Sequence, residues 1–362
     1  MADLVPLQPI PLPGMPRPRV CGTIKVEPED FFVDEIPLYE PSGEGAHVWV
    51  HVEKRDLAAH SALMRLAEAL DIDAGRIGYA GLKDARAVTR QWLSIEGVDE
   101  GRLRDLLLPG LRVLAVTRHG NRLKIGHLRG NRFRIRVRGT RAEDIEVVRE
   151  NLAYLARRGL PNWVGAQRFG REGNNLERGV SILGGDLRQA GRKIPKRILR
   201  LIVSAVQSEV FNRVLRARLH DYDQIHDGDI AWLHRNGACF LVEQAVNERV
   251  RCERFEISPS GPLPGPKCLQ PRGPQADLER EALAGLGVDV RRFGEVPGRM
   301  NEGARRPLRV PVRDAMVEVE DDGFVVSFGL DRGCFATAVL GELITAPAEP
   351  GEDAADDGES GD

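Results

Sequence analysis

The stretch GYAGLKDARAVTRQWLSI, Gly78 to Ile95, decides how this chain is read. Its opening, Gly78-Tyr79-Ala80-Gly81, is small and punctuated by glycine, so the backbone turns tightly there and another molecule can approach closely. A Lys83-Asp84 pair follows, and then a run rich in β-formers from Ala87 to Ile95. The pattern describes a loop that presents one carboxylate, with a cation beside it, at the mouth of a strand. A carboxylate in that setting serves as nucleophile, general base, metal ligand or simple turn residue. The rest of the chain must choose among these.

At 362 residues the chain is long enough for two domains, each with its own core. Its 42% apolar and 29% charged residues are ordinary for a globular protein. No apolar run approaches the ~20 residues of a membrane span, so no membrane is expected. The Pro-rich start, Met1 to Pro18, lacks the basic-then-apolar pattern of a secretory signal, and a cytoplasmic location is expected. Five scattered cysteines (21, 239, 252, 268, 334) with no C-x-x-C fit reduced thiols better than a disulfide frame or a zinc site. The histidines show no metal-ligand spacing, and His226-Asp227-Gly228-Asp229 reads as a polar turn, so no metal is expected.

The formal charge of -2 hides an asymmetry. Seven acids and no base lie between Glu349 and Asp362, which leaves 47 acids against 52 bases, or +5, in the body. The tail's low hydrophobicity predicts disorder over 347–362. Within the body, Leu106 to Ala142 holds ten Lys and Arg and no acid. Asn131-Arg132-Phe133-Arg134-Ile135-Arg136-Val137-Arg138 separates an apolar face from an arginine stripe with strand periodicity. Arg188, Arg192, Lys193, Lys196, Arg197 and Arg200 extend the basic bias. One-signed charge on a nearly neutral protein points to a phosphate-rich partner, and Arg132, Arg134 and Arg136 are the candidate backbone contacts.

Along the chain, Val20 to Ile36 predicts two extended pieces around a Pro28-Glu29-Asp30 turn, and His47 to Val52 alternates as a half-buried strand. Leu57 to Leu70 predicts a helix with Leu63, Met64, Ala67 and Leu70 on one face. Gly120-Asn121 and Gly130-Asn131 read as hairpin turns. Helices are expected over Asp144 to Arg158, Ile194 to Leu219, Leu278 to Leu286 and Thr337 to Ile344. Strands are expected near Ala238 to Glu243 and Arg249 to Ile257, and again over 308–312, 316–320 and 324–328. The Pro/Gly-rich segment Ser258 to Pro274 predicts irregular structure. Strands before Gly159-Leu160-Pro161 and after Pro307 suggest one sheet interrupted by a mainly helical insertion.

Several motifs resemble one family in its order. They are Lys25-x-x-Pro28-Glu29-Asp30-Phe31; Ala80-Gly81-Leu82-Lys83-Asp84 with Ala87-Val88-Thr89; Gly130-Asn131-Arg132-Phe133-Arg134-Ile135; Asn162-x-x-Gly165-x-Gln167-Arg168-Phe169-Gly170; Ser204-Ala205-x-Gln207-Ser208 with Phe211-Asn212; Arg305-Arg306-Pro307; and Phe335-Ala336-Thr337. Over about Gly22 to Ile344 the chain resembles the TruD-type transfer-RNA pseudouridine synthases. Trp163-Val164 stands where that family has Tyr-Phe.

The resemblance implies an α+β fold: a pseudouridine synthase catalytic domain with a mainly antiparallel mixed sheet flanked by helices, interrupted by an inserted TruD-specific α+β domain. The expected division is 1–18 as a Pro-rich tail, 19–160 with 306–346 as the catalytic domain, 161–305 as the insertion, and 347–362 as the acidic tail. It implies an isomerase that converts a uridine of tRNA, at position 13 in the family, to pseudouridine with no cofactor. The expected partner is tRNA, and the chain is compatible with a monomer. Asp84 matches the family's catalytic aspartate. Phe31, Asn131 and Phe335 match uridine-contacting positions, Phe133 a residue lining the base, and Lys25 a basic residue of the site. By residue type alone the phenylalanines would be core and Asn131 a turn residue. Two other classes compete: a non-catalytic tRNA-binding protein or RNA chaperone, and a metal-dependent nuclease, which the missing ligand spacing disfavours.

Overall fold

The computed structural model describes residues 6–7, 10–16, 19–170, 173–185, 187, 194–296 and 302–345. The acidic tail and the basic positions 188, 192 and 193 lie outside the described residues. The chain divides into two compact units, one of Pro16–Ala156 with Val312–Asp362, the other of Met1–Met15 with Arg157–Pro311.

The first unit is built on a mixed, mainly antiparallel sheet of nine strands. Eight run in the spatial order Arg313–Glu320, Gly323–Asp331, Leu128–Arg138, Phe31–Pro37, Val88–Glu96, His47–Arg55, Leu111–His119 and Leu107–Leu108. Phe31–Pro37 pairs with Val88–Glu96 in parallel, through Phe32–Val88 to Asp34–Arg90. The ninth strand, Ile77–Tyr79, takes the same edge of Val88–Glu96 further along, at Leu93 to Ile95. The sheet therefore forks, and the loop from Ala80 to Ala87 emerges from the fork.

Opposed residues in a ladder share a face. Lys54, Thr89, Val33, Phe133 and Phe328 form one row across the sheet, with Asn131 beside Glu35 and Phe31 beside Ile135 in neighbouring rows. Helix Ala59–Leu70 packs on this face, against Val48, Val50, Val52, Leu93 and Ile95. Its buried positions are Ala62, Leu66, Ala67 and Leu70, whereas Met64 is 47% exposed. The expected helix is present, but its stripe is rotated about one position from the expected one.

The second unit has a four-stranded sheet, Cys239–Leu241, Ile230–Leu233, Ile257–Leu263 and Ala304–Pro307, against the long helix Lys196–Ala217. Two local expectations are corrected here. Residues Ala245–Glu253 form a helix rather than a strand start. Ile257–Leu263 (ISPSGPL) is a buried strand although it holds two prolines. Gly261 allows this, because a Cβ there would lie 2.9 Å from the Phe211 ring. Leu160–Pro161 pairs with Arg309–Val310 inside this unit, whose second segment runs Arg157–Pro311. The described part of the N-terminal segment packs on it too: Leu12 is buried and the Leu7 amide donates to Glu209 Oε2 at 3.0 Å. No described helix is long and apolar enough to cross a membrane.

Candidate active site

The site is assembled from two loops in the first unit. Pro28 opens a short 3-10 turn, and Asp30 closes it by accepting from the Glu27 amide at 3.0 Å. Arg138 clamps Asp30 through Nε at 3.1 and 3.0 Å and a terminal nitrogen at 2.7 Å. Burial alone would raise the Asp30 carboxyl, but the Arg138 bonds hold it below its usual value. The clamp delivers Phe31 into the buried face, edge-on to Phe133 with centroids 6.3 Å apart; Phe133 in turn lies 5.5 Å from Phe328. Just before the turn, Lys25 has φ +56°, a left-handed conformation that L-residues seldom adopt and that recurs at functional sites.

The second loop is Ala80 to Ala87. Gly126 N donates to Ala80 O at 2.8 Å and Asp56 N to Ala87 O at 3.1 Å, which pins its ends. Arg86 donates to Val26 O at 3.2 Å, latching this loop to that of Lys25. Lys83 points inward, where Nζ meets Glu35 Oε2 at 2.6 Å and both side chains are buried. Burial pushes the Glu35 carboxyl up, against the pull of Lys83. Asp84 next to it keeps 45% of its side chain exposed, and its Oδ1 lies 3.5 Å from Lys25 Nζ. The same ammonium stands 4.6 Å from the centre of the Phe31 ring.

The structure thus brings together Lys25, Phe31, Phe133 and Asp84. Asn131 lies on the same face as Phe133, directly opposite Glu35. Its Oδ1 is buried and has no hydrogen-bond partner among the described residues, as is also true of Thr89 Oγ1. Buried polar atoms are nearly always paired, so the two orphans on the face that carries Phe133 are candidate ligand contacts. Gly130-Asn131 is not a hairpin turn; it lies inside the Leu128–Arg138 strand. Gly130 is required by close approach, since a Cβ would lie 2.1 Å from Leu330 O. Phe335 is 68% exposed at the start of helix Ala336–Leu343 and makes none of these contacts.

The arginine stripe faces the other side of the sheet. Arg132, Arg134 and Arg136 alternate with Asn131, Phe133 and Ile135 and share a face with Phe32 and Asp34. That face is not one-signed: Arg134 pairs with Glu320 at 3.3 Å and Glu318 at 3.8 Å, and Arg136 with Glu320 at 2.8 Å. The acids come from the strand beyond the neighbouring one, nearly two hundred residues on. A sequence window cannot see them.

One residue of the site escaped the sequence reading. Lys54 is 2% exposed, and its ammonium donates to the main-chain carbonyl of Asp84. The signal was present: Val48, Val50 and Val52 define the buried face of their strand, and Lys54 is its next member.

A forked α+β sheet that holds a lysine-flanked carboxylate above buried aromatic rings defines a carboxylate-centred site, with unmet polar atoms to orient a ligand. Comparison with known proteins places it. The model of the family tRNA pseudouridine synthase D (TruD) matches residues 15–193 and 183–343. A tRNA pseudouridine synthase D of Geobacter metallireducens is 40% identical, over 90% of this chain and 96% of its own length. One from Anaeromyxobacter dehalogenans strain 2CP-C is 42% identical, over 93% and 97%. The crystal structure of a TruD chain from Methanosarcina mazei shares the fold, with a TM-score of 0.78 at 24% identity, covering 91% of this chain and 95% of that one. The chain belongs to the TruD family.

Proposed function

We propose that this protein isomerises a uridine of tRNA to pseudouridine, with Asp84 as the nucleophile acting on a flipped-out nucleotide. The observation that carries the proposal is the placement of Asp84: tethered at its carbonyl by Lys54 and paired through its carboxylate with Lys25, whose ammonium also lies over the ring of Phe31. Family membership supports the substrate, and the motif resemblance supports position 13 as the target.

The chemistry asks for these groups. The bond from uracil N1 to the ribose breaks, the base turns, a bond from C5 to the same sugar carbon forms, C5 loses its proton and N1 gains one. Atoms and electrons balance within the nucleotide, so no co-reactant is required. A carboxylate can carry the departure step as nucleophile and assist the later proton removal. A carboxylate acting as nucleophile must carry its charge as water leaves the site, and the Lys25 ammonium stands 3.5 Å from Asp84 to balance it.

A stacked base has to be extruded to reach the carboxylate. The exposed Phe335 is the proposed replacement surface, a stacked base gaining ~1–3 kcal/mol, whereas Phe31, 2% exposed with Phe133 behind it and Lys25 over its ring, would have to be uncovered before a base could stack on it. The unpartnered Oδ1 of Asn131 suits the N3–H of uracil. Among the stripe arginines, Arg132 is the proposed phosphate contact, as it has no ion-pair partner among the described residues; Arg134 and Arg136 would first have to exchange their glutamates.

The test is incubation of an unmodified tRNA transcript with the purified protein, followed by site mapping of pseudouridine. One modified uridine per transcript is expected. Bound tRNA with no pseudouridine at any site would favour a non-catalytic RNA-binding role.

A further inference from the structure

We infer that Lys54 is a positioning residue for Asp84, fixing its peptide and placing a second positive charge near its carboxylate. This rests on Asp84 being the nucleophile. Besides the bonds that pin its ends and the Lys25–Asp84 pair, three side-chain ties hold the loop: Lys83 to Glu35 at 2.6 Å, Arg86 to Val26 O at 3.2 Å, and between them the bond from Lys54 to Asp84 O. Of these, the third acts on the peptide of the residue that bears the reacting carboxylate. With its carbonyl held from below, Asp84 turns its side chain toward Lys25.

The surroundings of Lys54 explain little else. Its cross-strand neighbours are Thr89 and Leu111, neither of which is charged. The charged groups that face it are Asp84 and Lys83 from the loop and Asp56 past the end of its own strand. Burial brings its pKa from 10.5 down to about 8, with Asp84 pulling up, Lys83 pushing down and Asp56 pulling up. A lysine so buried would be replaced at little loss by an apolar side chain of the same length if packing were its whole role. The position instead has a directed bond to one carbonyl, and a bond from an ionised donor is about twice as strong as a neutral one.

The test compares Lys54→Met with the wild type by single-turnover rate, tRNA affinity, melting temperature and pH profile. The expected rate loss is about 100-fold, the scale of a catalytic group misplaced by about 1 Å. Affinity should stay within about twofold, since Lys54 is too buried to touch RNA, and the melting temperature should not fall. The wild-type rate should decline on the alkaline side with a midpoint near 8, a limb that Lys54→Met lacks. A wild-type rate in Lys54→Met, a rate loss that only tracks a lowered melting temperature, or a wild-type profile with no decline through pH 8 each overturns the inference. Asp84→Asn separates the two readings. If that variant is inactive while Lys54→Met is fully active, the positioning role alone fails; if Asp84→Asn is active, the nucleophile assignment itself fails.

Discussion

Lys25 and Asp84 stand 3.5 Å apart, nitrogen to oxygen, and the same ammonium lies against the Phe31 ring. One cation thus touches both the carboxylate and the buried ring of Phe31. Because Asp84 is 45% exposed in the free protein, water screens the pair there, and its worth to folding is about 1 kcal/mol or less. RNA bound over the site, as proposed, would remove that screening.

Lys25→Met should therefore separate stability from catalysis. Chemical denaturation should find it within about 1 kcal/mol of the wild type, while the single-turnover rate falls by about 100-fold, as for removal of one group that stabilises charge in a water-excluded site. A rate within about threefold of wild type would remove Lys25 from the mechanism.

Phe133 and Phe335 make opposite predictions. Phe133 is buried between Phe31 and Phe328, so Phe133→Ala should cost about 3–5 kcal/mol of stability. Phe335 is mostly exposed, so Phe335→Ala should leave stability within ±0.5 kcal/mol but weaken the step in which the flipped base is held, by ~1–3 kcal/mol. Thermal melts paired with single-turnover kinetics on both variants check this. A Phe335→Ala variant that melts early and turns over normally would reverse the two roles.

The arginine stripe divides in the same way. Arg132→Ala should weaken tRNA binding and reduce the slope of log affinity against log salt by about one. Arg134→Ala and Arg136→Ala should change the slope less, because Glu318 and Glu320 already occupy those guanidinium groups. Binding titrations over a salt series decide it, and equal slope changes for all three would show that the ion pairs open on binding.

Lys54 gives a pH signature with a definite sign. Its folded pKa, near 8, lies below the ordinary 10.5, so between those values the unfolded chain binds more protons than the folded one. Stability from this group therefore rises as pH climbs through that window, by on the order of 3 kcal/mol. Relative to Lys54→Met, the wild type should gain stability from pH 8 to 10.5 while its catalytic rate falls. Denaturant titrations of both proteins across the window measure the difference, and a constant gap would contradict the depressed pKa.

Much of the site was legible because local chemistry and tertiary placement agree. The Asp84 loop follows its glycines and precedes its strand, and Pro28 to Asp30 is the turn it reads as. Where the two levels part, the cause is a neighbour remote in sequence. Gly130 reads as a turn glycine, but it is small because the Leu330 carbonyl lies against it. Pro259 and Pro262 read as strand breakers, yet they sit in a strand that pairs with Ile230–Leu233 over 257–259 and with Ala304–Pro307 over 260–263. The stripe from Arg132 to Arg138 reads as free charge until Glu318 and Glu320 arrive from another strand and Asp30 from the turn before Phe31. Lys54 was visible as a lysine ending a valine face, but its reason, the Asp84 carbonyl thirty residues away, was not.

The most direct measurement is pseudouridine formation on tRNA by Asp84→Asn beside the wild type, with tRNA affinity measured on both. The substitution keeps shape and removes the charge. No detectable pseudouridine, with affinity within about twofold of wild type, is the predicted result. Substantial conversion of the uridine by Asp84→Asn would contradict the account.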